Sequence, residues 1–340
     1  MTVRIAVIGA GIMGADHARI IAEDLPGAVL QVVCDASEVR ARAVADAFGA
    51  AHVATDAAAV IARVDVDAVV VASPDFTHAP LSLACIAAGK PVLCEKPLSQ
   101  SPAECLQVID AEVKAGRRFV QLGFMRRYDQ SCTEMRAALA DGSLGRALMM
   151  HNVHRNVETP AADFTGAMAI TNSAPHEFDV VRFVLGTEYA SISAWQPVRS
   201  DARVAPVFMV LETADRQLVT IEINNNAAYG YDVRAELVGE AGSIATNPVS
   251  YTTRDANLRR AVAYPTDWRA RYAEAYRQQN RGFLRFFNSG HFPAKGADAW
   301  DGYAAAIVAK AGVMALAEGG RVPVTMAAQP VLYSRKGNET

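Results

Sequence analysis

Over roughly its first 120 residues the chain alternates between two patterns. Short β-branched apolar runs occur at Ile5–Gly9, Val29–Asp35, Ala68–Ala72 and Val92–Glu95. Between them lie Ala-rich amphipathic stretches, Met13–Ala22, Glu38–Phe48 and Leu81–Ala88, with a further helix predicted over Ala57–Ala62. Continuous apolar strands separated by amphipathic helices predict βαβ units and a doubly wound parallel sheet, an α/β fold. Ser101-Pro102 supplies an N-cap and a proline at the first helical position, so a helix is expected from there to about Gly116.

From about Leu144 the periodicity changes to two. Alternating runs at Ala147–Arg155, Ala190–Val198, Val207–Glu212, Leu218–Asn224 and Val233–Val238 predict a mostly antiparallel sheet. Ala214-Asp215-Arg216-Gln217 and Glu240-Ala241-Gly242-Ser243 read as its turns. One helix, His176–Leu185, interrupts the sheet, and two more follow near Asp267–Asn288 and Asp298–Ala317.

Composition narrows the function classes. The 340 residues are 51% hydrophobic and 20% charged, an ordinary globular balance with room for two domains. A net charge of −3 gives no electrostatic reason to bind nucleic acid or an anionic membrane. No stretch approaches the roughly 20 apolar residues of a membrane span, and the apolar start is too short for a signal peptide. Five cysteines without CxxC spacing fit free thiols in a reducing compartment. A cytoplasmic protein is expected.

Gly9-Ala10-Gly11-Ile12-Met13-Gly14 matches G-x-G-x-x-G, and it follows a predicted strand and opens a predicted helix. Such glycines allow a tight turn and close backbone approach to a pyrophosphate, whose charge suits the free amides of the helix N-terminus. Asp35, at the end of the second strand, has the position of a carboxylate that accepts from the adenosine ribose and repels a 2′-phosphate. NAD is therefore expected in preference to NADP, with nearby Arg40 acting in the opposite sense.

Cys94-Glu95-Lys96-Pro97 falls at the carboxyl end of a predicted strand, where ligands of open α/β sheets bind. Further on, Asn172, His176 and Asp179 share one face if their segment is helical throughout. Pro175 suggests instead that the helix begins near His176, with Asn172 on the entering loop. Either way His176, flanked by polar groups, is a candidate base. His151 and His154 are three apart on a strand and so face opposite ways, which disfavours a metal site; none is expected. Trp268, Tyr272 and Tyr276 recur at helical spacing, a packing pattern. No G-x-S-x-G elbow or P-loop occurs.

These motifs, with Phe124-Met125-Arg126-Arg127-Tyr128-Asp129, Tyr229-Gly230-Tyr231-Asp232-Val233-Arg234 and Trp300-Asp301-Gly302-Tyr303, resemble the glucose–fructose oxidoreductase / inositol dehydrogenase / rhizopine-catabolism (Gfo/Idh/MocA) family, most of all its inositol 2-dehydrogenase branch. The resemblance implies a Rossmann domain at 1–123 and an α+β domain with a large open, mostly antiparallel sheet at 124–340, which binds substrate and mediates oligomers, often tetramers. It implies NAD-dependent oxidation of a secondary hydroxyl of a cyclic polyol or sugar, with hydride transfer to nicotinamide and the proton handled by Lys96 and His176. Asn172 takes the place where many relatives have aspartate, and it joins these two as a catalytic candidate. The cofactor would be held by Gly9, Gly11, Ile12, Met13, Gly14, Asp35, Ser73, His78, Glu95, Lys96 and Arg126. The polyol would meet Lys96, Arg127, His154, Asn156, Asn172, His176, Asp179, Tyr231, Trp268 and Tyr276. Other readings remain within the resemblance. One is another aldose or a sugar acid as substrate, as Arg126 and Arg127 allow; a second is a transient oxidation by tightly held NAD. A third is a dinucleotide-sensing regulator, which would need neither Lys96 nor His176.

Overall fold

The computed structural model describes residues 2–159, 163–246 and 252–334. The chain forms two compact units, Met1–Met125 with Tyr276–Ala306 and Ala327–Thr340, and Arg126–Ala275 with Ile307–Met326.

In the first unit β1 (Val3–Ile8), α1 (Ile12–Arg19), β2 (Ala28–Cys34), α2 (Glu38–Phe48), β3 (His52–Ala54), α3 (Ala57–Ala62), β4 (Ala68–Val71), α4 (His78–Ala87), β5 (Val92–Cys94), α5 (Pro102–Ala115) and β6 (Val120–Leu122) follow one another. Six strands pair in parallel in the order β3-β2-β1-β4-β5-β6. The order reverses between β1 and β4, which opens a crevice at the carboxyl ends of the strands. β4 and β5 are buried throughout, which is why their sequence is continuously apolar rather than alternating. Ser101 caps α5 through Glu104 N–H, with Pro102 at its first turn, and left-handed Gly116 ends it, as expected. The short strands β3 and β6 carry too few residues to show a pattern, and the sequence reading missed both.

The second unit holds α6 (Gln130–Ala140), β7 (Ala147–Arg155), α7 (Gly166–Met168), α8 (Pro175–Leu185), β8 (Tyr189–Trp195), β9 (Val207–Thr213), β10 (Leu218–Asn224), β11 (Asp232–Gly239), β12 (Ser243–Ala245) and the hairpin β13 (Thr253–Ala256) and β14 (Arg259–Val262). Three later elements follow: α9 (Trp268–Ser289), α10 (Ala299–Glu318) and β15 (Val322–Pro323). The seven-stranded sheet has the order β12-β11-β7-β10-β9-β8-β15. All its pairs are antiparallel except β7 with β10. Asn152 and His154 of β7 are buried on one face, while His151 lies on the other and meets Thr220 Oγ1 of β10 at 2.9 Å.

Two expectations need correction. The division of the chain differs from a single boundary at 123/124, because Phe283, Leu284 and Phe286 of α9 pack in one core with Val3, Ile5 and Leu30. Helical periodicity shows that α9 has an apolar face but not which core that face enters. Nor is Asn172 on a loop: a π-helical turn, Ala169–Ser173, leads directly into α8, with Ala174 N–H donating to Ala169 O at 3.1 Å. Pro175 lacks an N–H and its ring crowds a carbonyl four residues back, so a widened turn just before it keeps the path helical where a regular one would break.

Candidate active site

The Gly-rich turn lies between β1 and α1, and each glycine has a different reason to be there. Gly9 sits at φ +101, and a side chain there would collide with Ala72 O at 2.4 Å. A Cβ on Gly14 would fall 1.7 Å from Gly9 O, so only glycine lets α1 pack this closely on the turn. A Cβ on Gly11 would meet nothing within 4 Å. That open side, before first-turn amides that no described side chain caps, gives the close backbone approach a pyrophosphate would need. Ile12 is exposed and Met13 half-buried beside it.

Asp35 ends β2 against this turn. Its Oδ2 accepts from Ala10 N–H at 2.8 Å, and Oδ1 accepts from Ser37 N–H and from Arg40 Nη2, each at 2.8 Å. Burial alone would raise its pKa, but these donors outweigh burial and hold the carboxylate below its ordinary range. Arg40 is thus already engaged with Asp35, while Oδ2 accepts from Ala10 N–H and has acceptor capacity left for a ribose hydroxyl.

Beyond β5, Glu95 is buried and Lys96 half-buried. Glu95 Oε1 lies 2.8 Å from His17 Nε2. His78 is buried, with Nδ1 2.6 Å from Pro97 O and Nε2 2.8 Å from Ser73 O. Both of its ring nitrogens therefore meet protein carbonyls, which leaves neither for a cofactor hydrogen bond. Ser73 is half-buried, its Oγ 2.5 Å from Thr77 Oγ1. The Trp300-Asp301-Gly302-Tyr303 motif also serves this region. A Cβ on Gly302 would come within 2.8 Å of Leu98 and 2.9 Å of Leu122, so glycine lets α10 lie against the residues that follow Lys96-Pro97. Tyr276, expected at the polyol, is buried edge-on to His17 with ring centroids 6.0 Å apart.

In the second unit α8 presents a dense row of polar groups, His176, Glu177 and Asp179 all being buried. Arg126, also buried, donates to Glu177, and His154 Nδ1 lies 3.1 Å from Glu177 Oε2 and 3.3 Å from Arg126 Nη2. Burial would raise the Glu177 pKa, but Arg126 and His154 overcome it and hold the carboxyl at about 2. Tyr231 stands edge-on to His154 and to Tyr272, and burial pushes its phenol up to about 12. Arg127 donates to Asp179 from Nε at 2.8 Å and from Nη2 at 2.6 Å. Arg126 and Arg127 are thus neutralised by α8 carboxylates, which weakens the case for an acidic substrate and gives Asp179 a partner other than His176. Asn172 is half-buried and accepts from Thr171 Oγ1 at 3.0 Å. Asn156 and Trp268 are half-buried, the backbone N–H of Asn156 donating to Asn224 O.

Sequence reading overlooked His17, Asn280 and the pairing role of Glu177. Its usable signal was a polar residue on the inward face of an amphipathic helix, as His17 is on α1. Among the described residues no group of three His, Cys, Asp or Glu side chains is arranged for a metal ion, and no helix is long and apolar enough to cross a membrane. All five cysteines are buried thiols.

A dinucleotide turn at a switch point and a buried polar helix on a second, mixed sheet define a Rossmann-type oxidoreductase. A family model described as "Oxidoreductase family, NAD-binding Rossmann fold" (GFO_IDH_MocA) matches residues 3–124, and the family's C-terminal domain model matches residues 132–245. The chain belongs to the GFO/IDH/MocA oxidoreductase family, and its cofactor is NAD. It is 46% identical to inositol 2-dehydrogenase 2 of Saccharopolyspora erythraea, over 98% of this chain and 99% of that one. It is 40% identical to inositol 2-dehydrogenase of Streptomyces avermitilis, over 97% of each chain. The crystal structure of myo-inositol dehydrogenase from Lactobacillus casei in complex with NAD(H) and myo-inositol superposes with a TM-score of 0.93 at 29% identity, covering 98% of this chain and 100% of that one.

Proposed function

We propose that this protein oxidises a secondary hydroxyl of an inositol-type cyclic polyol with NAD. The observation that carries the reading is its full-length similarity to inositol dehydrogenases, with Lys96 and His176 both retained. Bound NAD supplies the hydride acceptor. The chain's own work is to orient the polyol and to take the hydroxyl proton. Lys96 contacts the reacting oxygen, and Lys96 and His176 together take the hydroxyl proton. Asn172, which can donate as well as accept, positions a hydroxyl. His154, Asn156, Tyr231 and Trp268 complete the polyol site, with Arg126, Arg127 and Asp179 as its buried support. Neutralised arginines suit an uncharged polyol better than a sugar acid.

A panel of inositols and aldoses incubated with NAD and followed at the NADH absorbance tests this. NADH released in step with oxidation of at least one inositol is expected. No NADH from any inositol overturns the reading, and a product formed without NADH release assigns the protein to the transient-oxidation class. Asp35 is proposed to set the NAD preference over NADP. Asp35→Ser is expected to narrow the ratio of kcat/KM for the two cofactors by about tenfold, or ~1.4 kcal/mol. Equal efficiency with both cofactors in the unmodified protein removes Asp35 from that role.

We also infer a cytoplasmic homo-oligomer, a tetramer. Five buried thiols suit a reducing compartment. The seven-stranded sheet leaves Trp195, Phe208 and Leu218 exposed, with Trp195 paired to Phe208 across β8 and β9, an apolar patch of the kind a partner subunit covers. Sedimentation at micromolar concentration should give a tetramer of the 36.3-kDa chain; a monomer contradicts the inference.

A further inference from the structure

Lys96 lies between two residues that buried histidines hold. On one side Glu95 meets His17, at 2.8 Å from Nε2. Asn280 Nδ2 donates to Tyr276 O at 2.9 Å, and the same side-chain amide lies against His17 Nδ1, with Nδ2 at 3.1 Å and Oδ1 at 3.3 Å. On the other side Pro97 O lies 2.6 Å from His78 Nδ1, and Ser73 O lies 2.8 Å from His78 Nε2. Carbonyl and carboxylate oxygens only accept, so this geometry calls for N–H on both ring nitrogens of His78 and on Nε2 of His17.

Each histidine also reaches an element of the cofactor half. His17 belongs to α1, whose first turn follows the Gly-rich loop. Ser73 belongs to the connection after β4, the one that Gly9 presses against. We propose that His17 and His78 are positioning residues that clamp the Glu95-Lys96-Pro97 turn from both sides and fix where Lys96 stands relative to the Gly-rich loop. The inference rests on Lys96 being the proton-handling lysine of the function proposed above.

Protonation agrees with the geometry. Burial opposes charge on His78, but the Cys94 sulfur of β5 and the two carbonyls outweigh it and push its pKa up to about 10. Burial likewise opposes charge on His17, and Glu95 and Asn280 outweigh it, so its pKa is raised.

A double-mutant cycle separates positioning from mere folding support. His17→Gln and His78→Gln, made singly, are expected to lower kcat by about 10²-fold, the scale of a small misplacement of a reacting group. Made in a Lys96→Ala background, they should leave the residual turnover within about threefold, because the group they position is gone. Equal losses in both backgrounds, or normal kcat in the single variants, overturn the proposal. If Lys96→Ala itself keeps normal turnover, the role of Lys96 has failed rather than the clamp. Should the variants not fold, the unmodified protein decides. With 15N-labelled histidine, both ring nitrogens of His78 should resonate as protonated at pH 8, and an unprotonated nitrogen there overturns the clamp.

Discussion

Lys96→Ala is expected to lower turnover by about 10²–10⁴-fold, the range for loss of a proton-transfer group, while NAD still binds. The split follows from where the functions sit. In the proposed reading cofactor affinity belongs to the Gly9–Gly14 turn, the first amides of α1 and Asp35, and the proton step to Lys96. The loss therefore belongs in kcat, with the dissociation constant for NAD changed little. Lys96→Arg should not restore turnover, because a guanidinium keeps its charge but does not give up a proton near neutral pH. Steady-state NADH production gives kcat, and calorimetry gives the NAD affinity. Near-normal turnover in Lys96→Ala would take the residue out of the mechanism, and lost NAD affinity would make it a cofactor ligand instead.

What could be read from the chain follows the range of the physics involved. G-x-G-x-x-G between a strand and a helix is a local pattern, and the structure places Gly9, Gly11 and Gly14 where that pattern requires. The runs at Ala147–Arg155 and Leu218–Asn224 coincide with β7 and β10 because a half-buried strand writes its period into the sequence. Asn280 is 263 residues from His17, and only the folded chain shows that the two meet. Arg126 and Arg127 look alike as charges in sequence. Their meaning changes once Glu177 and Asp179 are seen beside them, for a paired and buried arginine has little left to offer a ligand. Pro175 misled in a different way. A proline usually ends or opens a helix, and here the π turn before it absorbs the conflict.

Breaking the buried pair under α8 is expected to have the largest effect on stability. Arg126→Leu leaves Glu177 buried without its arginine and with His154 still beside it, and removing one partner of a buried pair costs about 3–5 kcal/mol. Adding Glu177→Gln should recover part of that, since the amide carries no charge to strand. The pH dependence has a definite sign. In the unmodified protein Glu177 is held at about 2, below its ordinary 4.5. A depressed carboxyl contributes stability above pH 4.5, and that contribution is lost as pH falls from there toward about 2. In Arg126→Leu the buried carboxylate gains by taking up a proton, so acidification helps the variant relative to the unmodified protein. The stability gap should therefore be widest near pH 7 and close progressively toward pH 3. Chemical denaturation at a series of pH values measures it. A gap that stays constant with pH would mean that Arg126 acts through packing against Tyr272, 5.5 Å from its ring centroid, and not through Glu177.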